Sequence, residues 1–234
     1  MIIMKKIYFT LIALLASINM FAQGWPANYS GVMLQGFSWD SYDYSQWTVL
    51  EKQADDMKGF IDLVWLPQSG KCIETTKVMG YKPYYYFNQN SSFGTEAELR
   101  SLIAKFKANG IGAIADVVVN HRNTDGWFTF PAETYNGVTY QMLSTDICKN
   151  DDSGSTATQA KKDGVSLSNN YDEGTDFGGC RDIDHKSENV QKIIKAYLKF
   201  LKEDIGYTGF RYDMVKRFSG SHVADYNDAT GVKF

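Results

Sequence analysis

The sequence predicts an α/β fold in which buried parallel strands alternate with helices. Three observations carry this: short, almost continuous apolar runs, amphipathic stretches between them, and polar residues gathered where the runs end. "GVMLQGF" (31–37) is an apolar run of strand length, and "SQWTVLEKQADDMKGF" (45–60) reads as a helix with Trp47, Leu50 and Ala54 on one face. "IDLVWLP" (61–67) is a strand covered on both sides and stopped by Pro67. In "GTEAELRSLIAKFKANG" (94–110), Thr95 and Glu98 form a capping box, Leu99, Leu102, Ile103 and Phe106 form the apolar stripe, and Gly110 suits the stop. "IGAIADVVVNH" (111–121) is a third strand, followed by a polar, glycine-rich segment from His121 to His185 that is too long for a plain loop. The alternation resumes with a helix in "SENVQKIIKAYLKFLKEDIG" (187–206), capped by Ser187 with Val190, Ile193, Ile194, Tyr197 and Leu201 inward, and a strand in "TGFRYD" (208–213).

Composition narrows the function. The opening "MIIMKKIYFTLIALLASINMFAQG" has Lys5 and Lys6, an apolar run from Ile7 to Ala16 and small residues near a cut after Ala22, the pattern of a secretory signal peptide over residues 1–22. Its removal takes two lysines and moves the formal net charge from −3 to −5. That mildly acidic balance argues against nucleic acid, no later segment has the length of a membrane span, and the expected location is secreted or periplasmic. Cys72, Cys148 and Cys180 lack metal-type spacing; Cys148 and Cys180 could pair after export, or all three could remain buried thiols. Aromatic residues make up 15% of the chain, which suits either sugar stacking or an aromatic core.

Periodicity leaves an open doubly wound sheet and a closed barrel as alternatives, although "QGFSWDS" lacks the glycine fingerprint of a dinucleotide-binding turn. In such folds chemistry collects at the C-terminal ends of strands. Those ends read Gln35-Gly36, Pro67-Gln68, Asn120-His121, then Arg211 and Asp213. Arg211 and Asp213 alternate onto one face, where the guanidinium holds the carboxylate in its charged form, as a glycosyl-transferring nucleophile requires. A buried structural ion pair is the plainer account of the same two residues.

"ADVVVNH" and "GFRYDMVKR" resemble two of the sequence blocks of the α-amylase family of glycoside hydrolases. "VMLQGFSWDSY", "LVWLPQ", "GYKPYYYF", "FGTEAELRSLI" and "DFGGCRDIDH" are similar in order and spacing to plant-type and related bacterial members, from Gly31 to Ser219. The resemblance implies a retaining hydrolase of internal α-1,4 bonds in starch or glycogen, acting as a monomer. The fold it implies is strands one to four of a (β/α)8 TIM barrel, over 23–120 and 186–234, with a calcium-binding domain inserted at 121–185. It makes Asp213 the nucleophile, Arg211 its partner, Asp116 the support of Arg211, and Tyr81, His121 and Lys216 sugar contacts. It makes Asn120, Asp172, Asp182 and the carbonyl of Arg217 ligands of Ca2+, with Asp151 and Asp176 near a neighbouring ion. Cys180 and Arg181 depart from the plant-type pattern before "DIDH".

The family's proton-donating glutamate follows the fifth strand and a further aspartate the seventh, and neither block occurs before Phe234. The expectation is therefore a chain that is inactive in isolation, with its first and fourth strands as open sheet edges. Two other classes fit the same residues: an α-glucan-binding protein without catalysis, and a Schiff-base lyase using the Lys216 amine.

Overall fold

The computed structural model describes residues 26–234; the leader expected over 1–22 lies outside the described residues. Four parallel strands form the sheet: β1 (Met33–Gln35), β2 (Leu63–Leu66), β3 (Gly112–Val117) and β8 (Gly209–Tyr212), in the order β1-β2-β3-β8. Helices α1 (Trp47–Met57) and α2 (Glu96–Ala108) make the first two crossovers. Helix α4 (Glu188–Lys199) returns the chain to β8, and α5 (Gly220–Thr230) follows. This is the α/β order expected from the alternation.

The two faces of the sheet differ because side chains alternate along each strand. Val64, Leu66, Ala113, Ala115, Val117 and Phe210 point to the helices and join one apolar core with Trp47, Leu99, Leu102, Phe106, Ile194 and Leu198. The opposite face carries Trp65, Asp116 and Arg211. Register fixes the last two as neighbours, since Asp116 pairs with Arg211 across β3 and β8.

Local signals account for the helix ends. Thr95 and Glu98 form the expected reciprocal cap of α2, and the Ser187 side chain accepts from Val190 N at the start of α4. The helical pattern expected to run on to Gly206 instead leaves α-geometry after Lys199 and widens into a π-type turn, Phe200–Ile205. The turn keeps Leu201 and Ile205 buried before Gly206 reverses the chain at φ 103°.

Strand β1 is an edge, and Met33 and Leu34 on it and Val32 just before it are exposed. At the other edge, Phe210 N donates to the Phe234 carbonyl at 3.1 Å. Among the described residues, no helix is long and apolar enough to cross a membrane. All three cysteines are buried and free, so of the two alternatives for Cys148 and Cys180 the structure has thiols.

Between β3 and α4 the chain forms β4 (His121–Arg122), the hairpin β5 (Glu133–Tyr135) and β6 (Val138–Tyr140), α3 (Ser155–Asp163) and β7 (Arg181–Asp182). Strand β4 pairs antiparallel with β7, His121 opposite Asp182, so the excursion begins and ends at the same place. A buried ion pair holds the hairpin: Arg122 Nη2 lies 2.6 Å from Glu133 Oε2, and Glu133 also accepts from the backbone N–H groups of Tyr86 and Phe87. The Arg122 guanidinium stacks 4.2 Å from the Tyr86 ring centroid.

Removing one partner of such a pair strands a charge in the core. Arg122→Ala is expected to cost ~3–5 kcal/mol in urea-induced unfolding. A loss below ~1 kcal/mol would show that the pair does not anchor the hairpin.

Candidate active site

Asp213 follows β8 directly, and its N–H extends the ladder by donating to the Val117 carbonyl at 3.0 Å. The next residue, Met214, takes a left-handed φ of 57°, which turns the chain sharply away from the strand. Arg211 reaches both carboxylates from its place on β8: Nη1 is 2.6 Å from Asp213 Oδ1 and 3.1 Å from Asp116 Oδ1. Asp116 is sealed inside, whereas the Asp213 side chain retains 16% of its exposure. The expected pair is thus a triad, one cation between a buried acid and an accessible one.

Trp65 completes this centre and was not singled out in the sequence, where it reads as one more apolar strand residue. Its indole N–H donates to Asp116 Oδ2 at 3.2 Å, and its ring lies 4.8 Å below the Arg211 guanidinium. Phe37 packs edge-on against the same indole. The signal available was register: in a parallel sheet, Trp65 of β2 shares the face of Ile114 and hence of Asp116.

Charge distribution follows from these contacts. Burial pushes the Asp116 carboxyl up to about 6 even though the Arg211 cation pulls it down, and the Asp213 charge pushes it further up. Burial works against the Arg211 cation, but Asp116 and Asp213 outweigh it and raise its pKa above the usual value.

Tyr81 and His121 enter from the loop after β2 and from β4. Tyr81 Oη donates to Asp116 Oδ2 at 3.2 Å, and burial with the Asp116 charge raises the pKa of the phenol, keeping it protonated. His121 Nε2 is 2.8 Å from the Tyr81 carbonyl, so that nitrogen carries the proton, while Nδ1 lies 3.3 Å from Asn120 Nδ2. Burial lowers the pKa of the imidazole, which is 1% exposed. A sugar would have to displace the Tyr81 carbonyl to reach Nε2. Lys216 is exposed, and Gln68, at the end of β2, is buried against Gly70 and Gly80 rather than presented to the site.

A second cluster lies beneath His121. Asn120 Nδ2 donates to Asp182 Oδ1 at 3.0 Å, and one oxygen from each of Asp151, Asp176 and Asp182 lies within 4.8 Å of the others. Asp172 and Asp182 interact, and burial raises the pKa of both carboxyls. Buried oxygens of Asp172 and Asp176 have no hydrogen-bond partner. Of the expected ligands, Asn120, Asp172 and Asp182 therefore come together. Arg217 reaches the cluster with its side chain, which donates to the Thr175 and Asp176 carbonyls. Gly174 makes this approach possible, because a methyl group there would lie 2.3 Å from the Lys216 carbonyl oxygen. The oxygen-only donor set with unpartnered carboxylate oxygens fits a hard divalent cation.

Comparison with known proteins identifies the family and the fold. A family model described as "Alpha amylase, catalytic domain" matches residues 60–232. Alpha-amylase 3, chloroplastic, of Arabidopsis thaliana is 32% identical over 201 residues, covering 85% of this chain and 21% of that protein. Probable alpha-amylase 2 of the same plant is 28% identical, covering 83% of this chain and 44% of its own length. The chain thus spans less than half of each of these curated relatives. Among solved structures, an α-amylase from Malbranchea cinnamomea superposes with a TM-score of 0.58 at 20% identity, covering 86% of this chain and 44% of that one. An α-amylase I from Eisenia fetida, in a maltohexaose complex, gives 0.60 at 17% identity, with 85% and 40% covered. These structures are TIM barrels, and the present sheet corresponds to the N-terminal part of one. By the match to its catalytic-domain model, the chain belongs to the α-amylase family.

Proposed function

We propose that this chain carries the nucleophilic half of a retaining hydrolase of internal α-1,4-glucosidic bonds. The observation that carries the reading is Arg211 clamped between buried Asp116 and accessible Asp213 at the end of a parallel strand. Asp213 attacks the anomeric carbon, a C1–O bond to the carboxylate forms, and the glycosidic C1–O bond breaks. The leaving oxygen takes a proton from an acid; water later cleaves the ester and restores Asp213. Asp116 is fully buried behind Arg211 and serves to hold that residue, not to protonate the leaving group. Arg211 keeps the attacking oxygen aimed by a charge-assisted hydrogen bond. Tyr81 offers a ring to the sugar, His121 an imidazole once its bond to Tyr81 opens, and Lys216 an exposed amine at the rim. An α-glucan is the substrate this set suits.

The inserted segment 121–185 is proposed as a calcium-binding domain. Asn120, Asp172 and Asp182 would hold the ion together with the Arg217 carbonyl, with Asp151 and Asp176 beside them. When bound, the cation neutralises the acids and fixes β4, hence His121, against the barrel strands. The leader-like opening residues support export to a secreted or periplasmic location, and a monomer suits a site built within one sheet.

Three outcomes are expected. Fluoride leaves a glycosyl fluoride without needing a proton, so a fluorinated maltosyl fluoride reads the attacking carboxylate alone. Mass spectrometry should find one maltosyl adduct on Asp213, absent from Asp213→Asn; labelling elsewhere would remove Asp213 from the role. Ca2+ at 100 times its Kd should stabilise the chain by ~2.7 kcal/mol in thermal unfolding, an effect Asp182→Asn removes. Equal midpoints with Ca2+ and with chelator would rule the site out. Finally, the 13C carboxyl resonance of Asp116 should titrate near pH 6. The Arg211 cation lowers this pKa and the Asp213 charge raises it. Arg211→Gln should therefore move the midpoint up and Asp213→Asn move it down, and a midpoint near 4 in all three would contradict the buried geometry.

A further inference from the structure

One short loop after β8 carries both the accessible carboxylate of Asp213 and, a turn later, the cation of Arg217. The loop folds back on itself, with Arg217 N donating to the Met214 carbonyl at 2.9 Å. The guanidinium crosses to the insert, where Nη1 donates to the Thr175 and Asp176 carbonyls. There it lies 5.3 Å from the Phe177 ring centroid, and Phe177 in turn stacks on His121 at 4.3 Å.

This grip is incomplete. Both acceptors are neutral carbonyls, and the buried Nε–H of Arg217 has no partner. Asp172 Oδ2 and Asp176 Oδ1 are likewise buried without a donor. The charge still reaches the acids: burial raises the Asp172 pKa, and Arg217 acts against that rise. Asp151 differs, because Arg181 Nη1 lies 2.6 Å from its Oδ2. Arg217 thus supplies positive charge to Asp172 without satisfying either orphaned oxygen. A divalent cation would do both, since it carries twice the charge and bonds carboxylate oxygens directly. Two positive charges in one small acidic cluster repel, so the guanidinium and the cation weaken each other's hold.

We propose that Arg217 is a tethered counter-ion of the acidic cluster, which a divalent cation displaces on entering. The inference rests on the calcium reading above and concerns the side chain alone; the Arg217 carbonyl stays available as a ligand. Without the cation, the guanidinium ties residues 175–177 to the loop that follows Asp213. With the cation bound, the metal takes over that tie and the guanidinium is released.

Calorimetric titration of the chain with Ca2+ tests it. Arg217→Gln removes the charge, keeps the backbone carbonyl, and should tighten Ca2+ binding roughly 3- to 10-fold. Arg217→Lys keeps a charge and should stay within about 2-fold of the parent chain. In the parent chain labelled with 15N-arginine, the Nη–H signals of Arg217 should lose their hydrogen-exchange protection when Ca2+ is added. That readout needs no variant to fold. Equal or weaker binding by Arg217→Gln, or protection unchanged at saturating Ca2+, would refute the counter-ion and leave the calcium site standing. Equal tightening in both variants would trace the effect to packing and refute it as well. If neither the parent chain nor Arg217→Gln binds Ca2+, both readings fall.

Discussion

The centre of this molecule is one guanidinium held between two carboxylates. Arg211 could not be kept at a strand end against its desolvation without Asp116, and Asp116 could not stay charged in the interior without Arg211. Of the two acids, Asp213 is the more accessible. Around that arrangement the other polar groups take their places: Trp65 donates to Asp116 and covers Arg211 from below, and Tyr81 donates to the same Asp116 oxygen. A buried acid with three donors leaves its neighbour free to face substrate.

A second constraint couples this centre to the acidic cluster. His121 stands at the junction, with its Nε2 on the Tyr81 carbonyl, Asn120 at its Nδ1 and Phe177 stacked 4.3 Å from its ring. Asn120 in turn donates to Asp182, and the Asp182 carboxylate accepts from Phe177 N. A change in the charge of the acids therefore reaches His121 through one amide and one ring. This is a physical route by which a cation held in the insert would govern the proposed sugar-binding side, without itself touching a sugar.

Much of the fold was legible locally. The capping box at Thr95, the cap at Ser187 and the apolar stripes of α2 and α4 lie within single turns of helix, so neighbouring residues contain the whole signal. The continuous apolar runs of β2 and β3 reported burial on both faces. The π-type turn after Lys199 was not legible, because apolar residues continue at helical spacing through Leu201 and the change serves the approach to β8. Most of the candidate site was readable only through a resemblance, since spacing alone allowed Arg211 and Asp213 to be a structural pair.

By itself the sequence determined the alternation of strands and helices, the residue types at the strand ends and the acids of the insert. These follow from periodicity and chemistry within short windows. Only the tertiary structure decided that Asp116 lies opposite Arg211, that Trp65 lies beneath it, and that His121 pairs with Asp182 across sixty-one positions. Those contacts are matters of register and chain return, settled by which faces can be buried together, and no local pattern encodes them.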